Sequence, residues 1–376
     1  LDFWQQPYAI SRYYGVERWS EEHYEALRPY LAALGRAGQR VVSAILFYEP
    51  WGEQTHDLFD PMVQTTKKSD GTWEYDYTIF DKYKDVLIVV NAPLEMDAKK
   101  KTKMILYALP NGNDIEYTAG KARKSEDEDF RYSVQHIAAQ TRWLRENKDQ
   151  YNYVTVYLQA SMRSWGTWRR LHRDNGISAK VLPAIIQDMA DLYKPYNPSI
   201  TLSSHSGGGY FIFEYLRVVD KVNPLIERIA FLDSTYGYEE EDYKEKLTAW
   251  LKDKRHYLNV TSYQDSTVIY NGKPLVSPTG GTWWRSKKMQ RDLAETYKFE
   301  KVEDDTYLNF YANNGQIAIN LVKNPTGEIY HTVLVEKNGF IDSFLSGTKE
   351  WGKGYQFWGD RVYNHLIKKA PMIKQH

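Results

Sequence analysis

Cysteine is absent from all 376 residues, which excludes disulfides, thiolate nucleophiles and cysteine-ligated metals together. No apolar run reaches the roughly 18–20 residues that cross a bilayer, so no membrane span is expected. Neither sign of charge prevails: 49 Lys and Arg balance 49 Asp and Glu. With no net field and no basic arm, nucleic acid is not an expected partner. Histidines 136, 172, 205, 256 and 331 lack a metal-ligand spacing such as His-x-x-x-His, and no Gly-rich loop ends in Lys-Ser/Thr. The run Gly207, Gly208, Gly209 lacks the spacing of a dinucleotide fingerprint. No metal and no cofactor are therefore expected.

What the chain has in excess is aromatic: 15% of residues, with 31 Tyr and 12 Trp. Most such rings fill cores, but Trp165, Trp168, Trp283 and Trp284 stand in polar surroundings, where flat amphipathic rings suit stacking on sugars or planar acyl groups. Hydrophobic residues at 42% and charged ones at 26% are ordinary globular values. The length implies one large domain or two. The first residue is Leu1 and no signal-like stretch follows it, so the expectation is a processed or trimmed chain from which any export signal has been removed.

Residues 1–83 form one block. "LDFWQQPYAI" reads as a strand. "WSEEHYEALRPYLAALGRAG" reads as a helix with Ser20 as N-cap, Glu21 and Glu22 in its first turn and Gly38 near its C-cap. "QRVVSAILFYEPWG" reads as a second, buried strand, giving one βαβ unit. The excursion "DLFDPMVQTTKKSDGTWEYDYTIFDKY" has Asp70-Gly71 at a hairpin-like turn.

Residues 84–376 alternate strand and helix. Strands are expected in 84–93, 101–113, 151–160, 199–204, 226–234, 256–266 and 315–322. Helices are expected in 131–147, 178–193 and 208–219, and the run "DRVYNHLIKKA" is helix-like. The fold class is α/β: a mostly parallel sheet flanked by helices.

Within this alternation "ITLSSHSGGGYFIFEYL" (200–216) places Ser206 between a buried strand and an apolar helix. A nucleophile on a strand-to-helix turn needs small neighbours so that strand and helix can approach, and Ser204, Gly207 and Gly208 are small. The pattern is Ser-His-Ser-Gly-Gly rather than Gly-x-Ser-x-Gly, so the strand-turn-helix context carries the reading. A serine hydroxyl needs an imidazole base oriented by a carboxylate. His331 lies after the last strand and ahead of an apolar segment, whereas His365 sits in a helix-like run and His376 ends the chain. For the acid, Asp233 and Asp265 both end strands; Asp233 is preferred by a small margin. Oxyanion donors, each worth roughly 3–4 kcal/mol, are expected at the N–H of Gly207 and in "ALPNG", from Asn111 or Gly112. "SMRSWGTWRRLHR" and "GGTWWRS" are expected to overhang Ser206, with Arg163, Trp165, Arg169 and Trp283 as substrate contacts.

"ALPNGN", "SHSGGGY", "LDSTYGY" and "YHTV…NGF", in this order, resemble a bacterial serine-hydrolase group of the α/β-hydrolase superfamily. The resemblance covers residues 84–376 and implies Ser206 as nucleophile, His331 as base and, less directly, Asp233 as acid. Residues 1–82 resemble the start of a barrel-type glycosidase-like domain, through "LDFWQQPYAISRYYGVERWSEEHYEALRP", "EPWGEQTHDLFDPMV" and "DGTWEYDYTIFDKY". A whole (β/α)₈ barrel needs at least about 200 residues, so the block is a fragment or an accessory layer. Glu49 and Asp57 are its possible carboxylates, though glycoside hydrolysis needs a positioned pair and solvated loop acids are the commoner case. Together these imply a serine esterase acting on a small or carbohydrate-linked ester, periplasmic or extracellular, with no statement on oligomeric state. The alternatives are an idle hydrolase fold serving as a glycan-binding scaffold, and glycoside hydrolysis by the first block.

Overall fold

The computed structural model describes residues 3–4, 11, 13–17, 20–36, 42–43, 64–68, 73–76, 86–120 and 135–367. The chain divides into two compact units, Leu1–Asp85 and Val86–His376.

In the first unit, strands β1 (Phe3–Trp4) and β2 (Val42–Ser43) pair in parallel, Phe3 opposite Val42, with the helix Glu21–Arg36 between them in sequence. Ser20 caps that helix as its position predicts: its Oγ accepts from the His23 amide at 3.2 Å. Strands β3 (Gln64–Lys67) and β4 (Trp73–Asp76) pair antiparallel, Lys67 opposite Trp73, as a hairpin requires. Gly38, Glu49, Asp57 and the Asp70-Gly71 turn lie outside the described residues.

The second unit is built on a nine-stranded sheet. Its strands are β5 (Val86–Asn91), β6 (Lys101–Ala108), β7 (Tyr151–Ala160), β8 (Pro198–His205), β9 (Ile226–Leu232), β10 (Tyr257–Tyr263), β13 (Glu300–Glu303), β14 (Tyr307–Ala312) and β15 (Ile317–Val322). A short hairpin, β11 (Ile269–Tyr270) with β12 (Lys273–Pro274), stands apart from it. The order is β13-β14-β15-β10-β9-β8-β6-β7-β5. The six strands from β7 to β15 are mutually parallel, and antiparallel strands close both edges: β5 on β7, and β14 and β13 beyond β15. This is the expected α/β arrangement: a mostly parallel sheet flanked by helices.

Period-two alternation in β6 shows how the sheet sorts its two faces. Met104, Leu106 and Ala108 join one core cluster, while Ile105 and Tyr107 join the other. The first face is covered by the helices Trp165–His172, Ile177–Leu192, Gly209–Val218, Glu240–Trp250 and Gly281–Ala294. The second is covered by Ile137–Asn147 and Phe340–Leu345. Arg228 on β9 holds the latter helix down: buried beneath it, the guanidinium donates to the Ser343 carbonyl at 3.1 Å and the Ser346 carbonyl at 2.8 Å. Burial lowers its pKa to about 10, so it stays charged at neutral pH.

One expectation differs from the structure, and two strands have none. "DRVYNHLIKKA" forms no regular helix in its described part, only the single 3₁₀ turn Asn364–Leu366. Tertiary bonds claim its backbone instead: Asn338 accepts from the Val362 amide at 3.1 Å and donates to the Asp360 carbonyl at 2.8 Å, and Arg142 donates to the Leu366 carbonyl at 2.8 Å. The β13 and β14 strands carry no sequence expectation; their exposed or half-buried side chains (Glu300 to Glu303 are all exposed) lack the apolar run that marks the central strands.

Candidate active site

The carboxyl ends of the parallel strands converge on Ser206. It follows β8 directly and opens a 3₁₀ turn, Ser206–Gly208, that runs into the helix Gly209–Val218. Its φ is +52°, a left-handed conformation that non-glycine residues adopt at a cost of about 1–3 kcal/mol. The glycines after it are there because no side chain fits. A Cβ on Gly207 would stand 2.2 Å from Asn111 Oδ1, one on Gly208 2.2 Å from the Ala108 carbonyl, and one on Gly209 1.8 Å from the Ser234 carbonyl. Ser204, two residues before Ser206, is tied to the neighbouring loop by a 2.8 Å hydroxyl pair with Ser234. The elbow is thus clamped between the ends of β6 and β9.

Asp233 comes off the end of β9, fully buried and also left-handed at φ +46°. Its Oδ2 lies 3.5 Å from His331 Nδ1, long for an N–H···O bond but within what unliganded catalytic sites show. Thr282 donates its hydroxyl to Asp233 Oδ1. The same Thr282 serves the rival carboxylate: its amide donates to Asp265 Oδ2 at 2.7 Å and its hydroxyl lies 3.3 Å from that oxygen. Thr282 therefore bridges both acids, while Asp233 is the one beside the imidazole.

The electrostatics separate the two acids further. Burial raises the pKa of Asp233, but His331 and Thr282 oppose the rise. Asp265 is pushed up to about 6 by burial and by the negative charge of Asp233. Two buried carboxylates sharing a neighbourhood do not both ionise freely, and Asp265 is the one with no imidazole beside it.

A cavity of about 430 Å³ opens over this centre, lined by Asn111, Gln135, His205, Ser206, Tyr330 and His331 among others. His205 packs against His331 with ring centroids 4.8 Å apart, and its Nδ1 lies 2.5 Å from Gln135 Nε2. Burial and the adjacent His331 hold His205 well below the usual histidine range, so it is neutral and places no second positive charge on His331. The Gly112 amide, one of the two possible second oxyanion donors, is already spent on the Arg163 carbonyl at 2.8 Å. Asn111 lies on the cavity wall against Gly207.

The expected substrate contacts are placed elsewhere. Trp165 is core, 1% exposed, packed against Trp168 and Phe211, with its indole N–H given to the Leu158 carbonyl at 3.2 Å. Arg163 is exposed, 3.7 Å from Asp114. Arg169 lies over the Tyr210 ring at 4.5 Å. Trp283 packs on the core from the helix Gly281–Ala294. None of the four lines the cavity: Trp165, Arg169 and Trp283 belong to amphipathic helices of the first layer, and Arg163 to the turn that precedes the first of them. The aromatics at the mouth are Tyr270, from the short hairpin, and Tyr330, beside His331. Sequence reasoning also missed Gln135, His205 and Thr282. Thr282 lies within "GGTWWRS", between Gly281 and Trp283.

Among the described residues no group of His, Asp and Glu could hold a metal ion, and no helix is long and apolar enough to cross a membrane.

Residues 4–159 match the family described as glycoside hydrolase 123, catalytic domain. The match begins in the first unit and runs through β5, β6 and most of β7 of the second, past the boundary expected at residue 83. No curated protein matches the sequence. Among solved structures, the siderophore hydrolase EstB from Aspergillus nidulans is 11% identical, with a TM-score of 0.34 over 80% of this chain and 95% of its own. Acetyl xylan esterase from Aspergillus awamori is 9% identical, with a TM-score of 0.35 over 70% of this chain and 92% of its own. A family 123 glycoside hydrolase from Clostridium perfringens, described for glycolipid glycan hydrolysis, is 19% identical, with a TM-score of 0.21 over 73% of this chain and 45% of its own.

Proposed function

We propose that the second unit is a serine hydrolase, an esterase that cleaves a small or carbohydrate-linked ester by acyl transfer. One observation carries this reading: a strained serine at the strand-to-helix elbow shares a cavity with a histidine whose Nδ1 faces a buried aspartate at 3.5 Å. Ser206 Oγ attacks the ester carbonyl while His331, through Nε2, takes its proton and then passes it to the departing alkoxide. Asp233 fixes the tautomer with the proton on Nδ1 and balances the imidazolium that forms. The N–H of Gly207 and the amide of Asn111 receive the oxyanion. Water, deprotonated by the same imidazole, then attacks the acyl-enzyme and frees Ser206.

Hydrolysis of p-nitrophenyl acetate tests the reading. Ser206→Ala and His331→Ala should each abolish it in a chain that keeps its far-ultraviolet spectrum; activity near wild type in a folded Ser206→Ala chain refutes the assignment. The match of residues 4–159 to glycoside hydrolase 123 favours a second reading, glycoside hydrolysis. It would appear as reducing sugar released by wild type and lost on Glu49→Gln.

A further inference from the structure

A second cavity, of about 620 Å³, lies between the antiparallel edge of the sheet and the segment after the helix Phe340–Leu345. It shares no lining residue with the cavity over Ser206. Its volume is that of a small-molecule site.

Alternation along β14 turns Tyr307, Asn309 and Tyr311 to this cavity, and Trp351, Tyr355 and Trp358 meet them from the opposite wall. Tyr311 and Trp351 stand edge to face at 5.5 Å. Polar groups are set among these rings. Asn320, only 4% exposed, accepts from the Tyr311 hydroxyl at 3.0 Å through Oδ1, while its Nδ2 has no hydrogen-bond partner among the described residues. Asp342 Oδ1 takes the Trp351 indole N–H at 2.9 Å and the Tyr355 hydroxyl at 3.0 Å.

An orphaned buried amide donor is unfavourable, and a ligand oxygen would satisfy it. Rings with apolar faces interleaved with amide and carboxylate groups match a molecule whose own surface alternates C–H faces and hydroxyls. Among the described residues no Lys, Arg or His lines the cavity, and its one charged group is a carboxylate, so an anionic ligand is disfavoured. A quaternary ammonium ion would suit the rings, but it offers no acceptor to Asn320 Nδ2.

We infer that this cavity binds a neutral saccharide, separately from the chemistry at Ser206.

The test is hydrogen exchange and calorimetry on the whole chain with xylotriose, maltotriose and triacetylchitotriose, with trigalacturonate and tetramethylammonium as contrasts. Saturable binding of at least one neutral trisaccharide is expected, with exchange protection at residues 307–311 and 351–359. Ser206→Ala should bind alike. Trp358→Ala and Asn320→Asp, the latter keeping the acceptor for Tyr311 and losing the donor, should each weaken binding roughly tenfold. The inference is overturned if no neutral trisaccharide binds, if protection maps to the Ser206 cavity, or if trigalacturonate or tetramethylammonium binds as tightly. It is also overturned if both variants fold and bind as wild type does. The protection map on unaltered protein decides the matter if either variant fails to fold.

Discussion

Replacing Asp265 by Asn should stabilise the protein at neutral pH and leave it unchanged in acid. Asp265 is 1% exposed, and burial together with the charge of Asp233 lifts its pKa from the ordinary 3.8 to about 6. The unfolded chain releases this proton near 3.8 and the folded chain near 6, so between those pH values the folded state holds more protons and its stability falls as pH rises. A rise of about two pH units at about 1.4 kcal/mol each puts the penalty near 3 kcal/mol once the group is ionised in both states. Asparagine presents a carbonyl oxygen to the Thr282 amide, which now gives Asp265 Oδ2 its 2.7 Å bond, and carries no charge. The difference in stability between variant and wild type should therefore be near zero at pH 4, grow through pH 5 and 6, and level off above pH 7. For a unit of this size a gain of about 3 kcal/mol corresponds to roughly 5 °C in Tm. Thermal unfolding followed by circular dichroism from pH 4 to 8 reads it. A difference independent of pH, or a variant less stable than wild type at pH 7.5, refutes the reasoning.

Asp233→Asn should lower kcat for p-nitrophenyl acetate by about 10³–10⁴-fold, because an amide no longer holds the Nδ1–H tautomer of His331, whereas Asp265→Asn should change it little; equal losses would contradict the assignment of the acid. Asn111→Ala should cost about 10²–10³ in kcat with KM little altered, the loss of one oxyanion donor, and steady-state kinetics decide it. Gly209→Ala forces a Cβ to within 1.8 Å of the Ser234 carbonyl, so the elbow must shift; a loss of at least about 1–3 kcal/mol is expected, read as a lower Tm, and an unchanged Tm would show that the close packing is not real.

The buried strands β6 and β9 were legible because parallel strands covered on both faces need apolar residues on each, and that leaves a continuous apolar run, Met104–Ala108 in the one and Ile229–Leu232 in the other. Ser206 was legible because the elbow tolerates only small residues at 207–209, and three glycines after a strand stand out. Asp233 and Asp265 were harder to tell apart: both end strands, and only the three-dimensional course of the chain puts one of them beside His331. The tryptophans misled for a physical reason. In "SWGTWRRLHR" Trp165 and Trp168 are three residues apart on one helical face, which buries them while the arginines around them reach outward. Gln135 and Thr282 act through hydrogen bonds between elements far apart in sequence, and no local pattern marks such contacts.

The central claim is that Ser206 is activated by its neighbours, and covalent labelling tests it without any assumption about substrate. Intact protein treated with a fluorophosphonate should gain one adduct, located by peptide mass spectrometry on Ser206, with labelling of the His331→Ala chain slowed severely. A folded protein that takes up no label, or takes it up at another residue, would contradict the account.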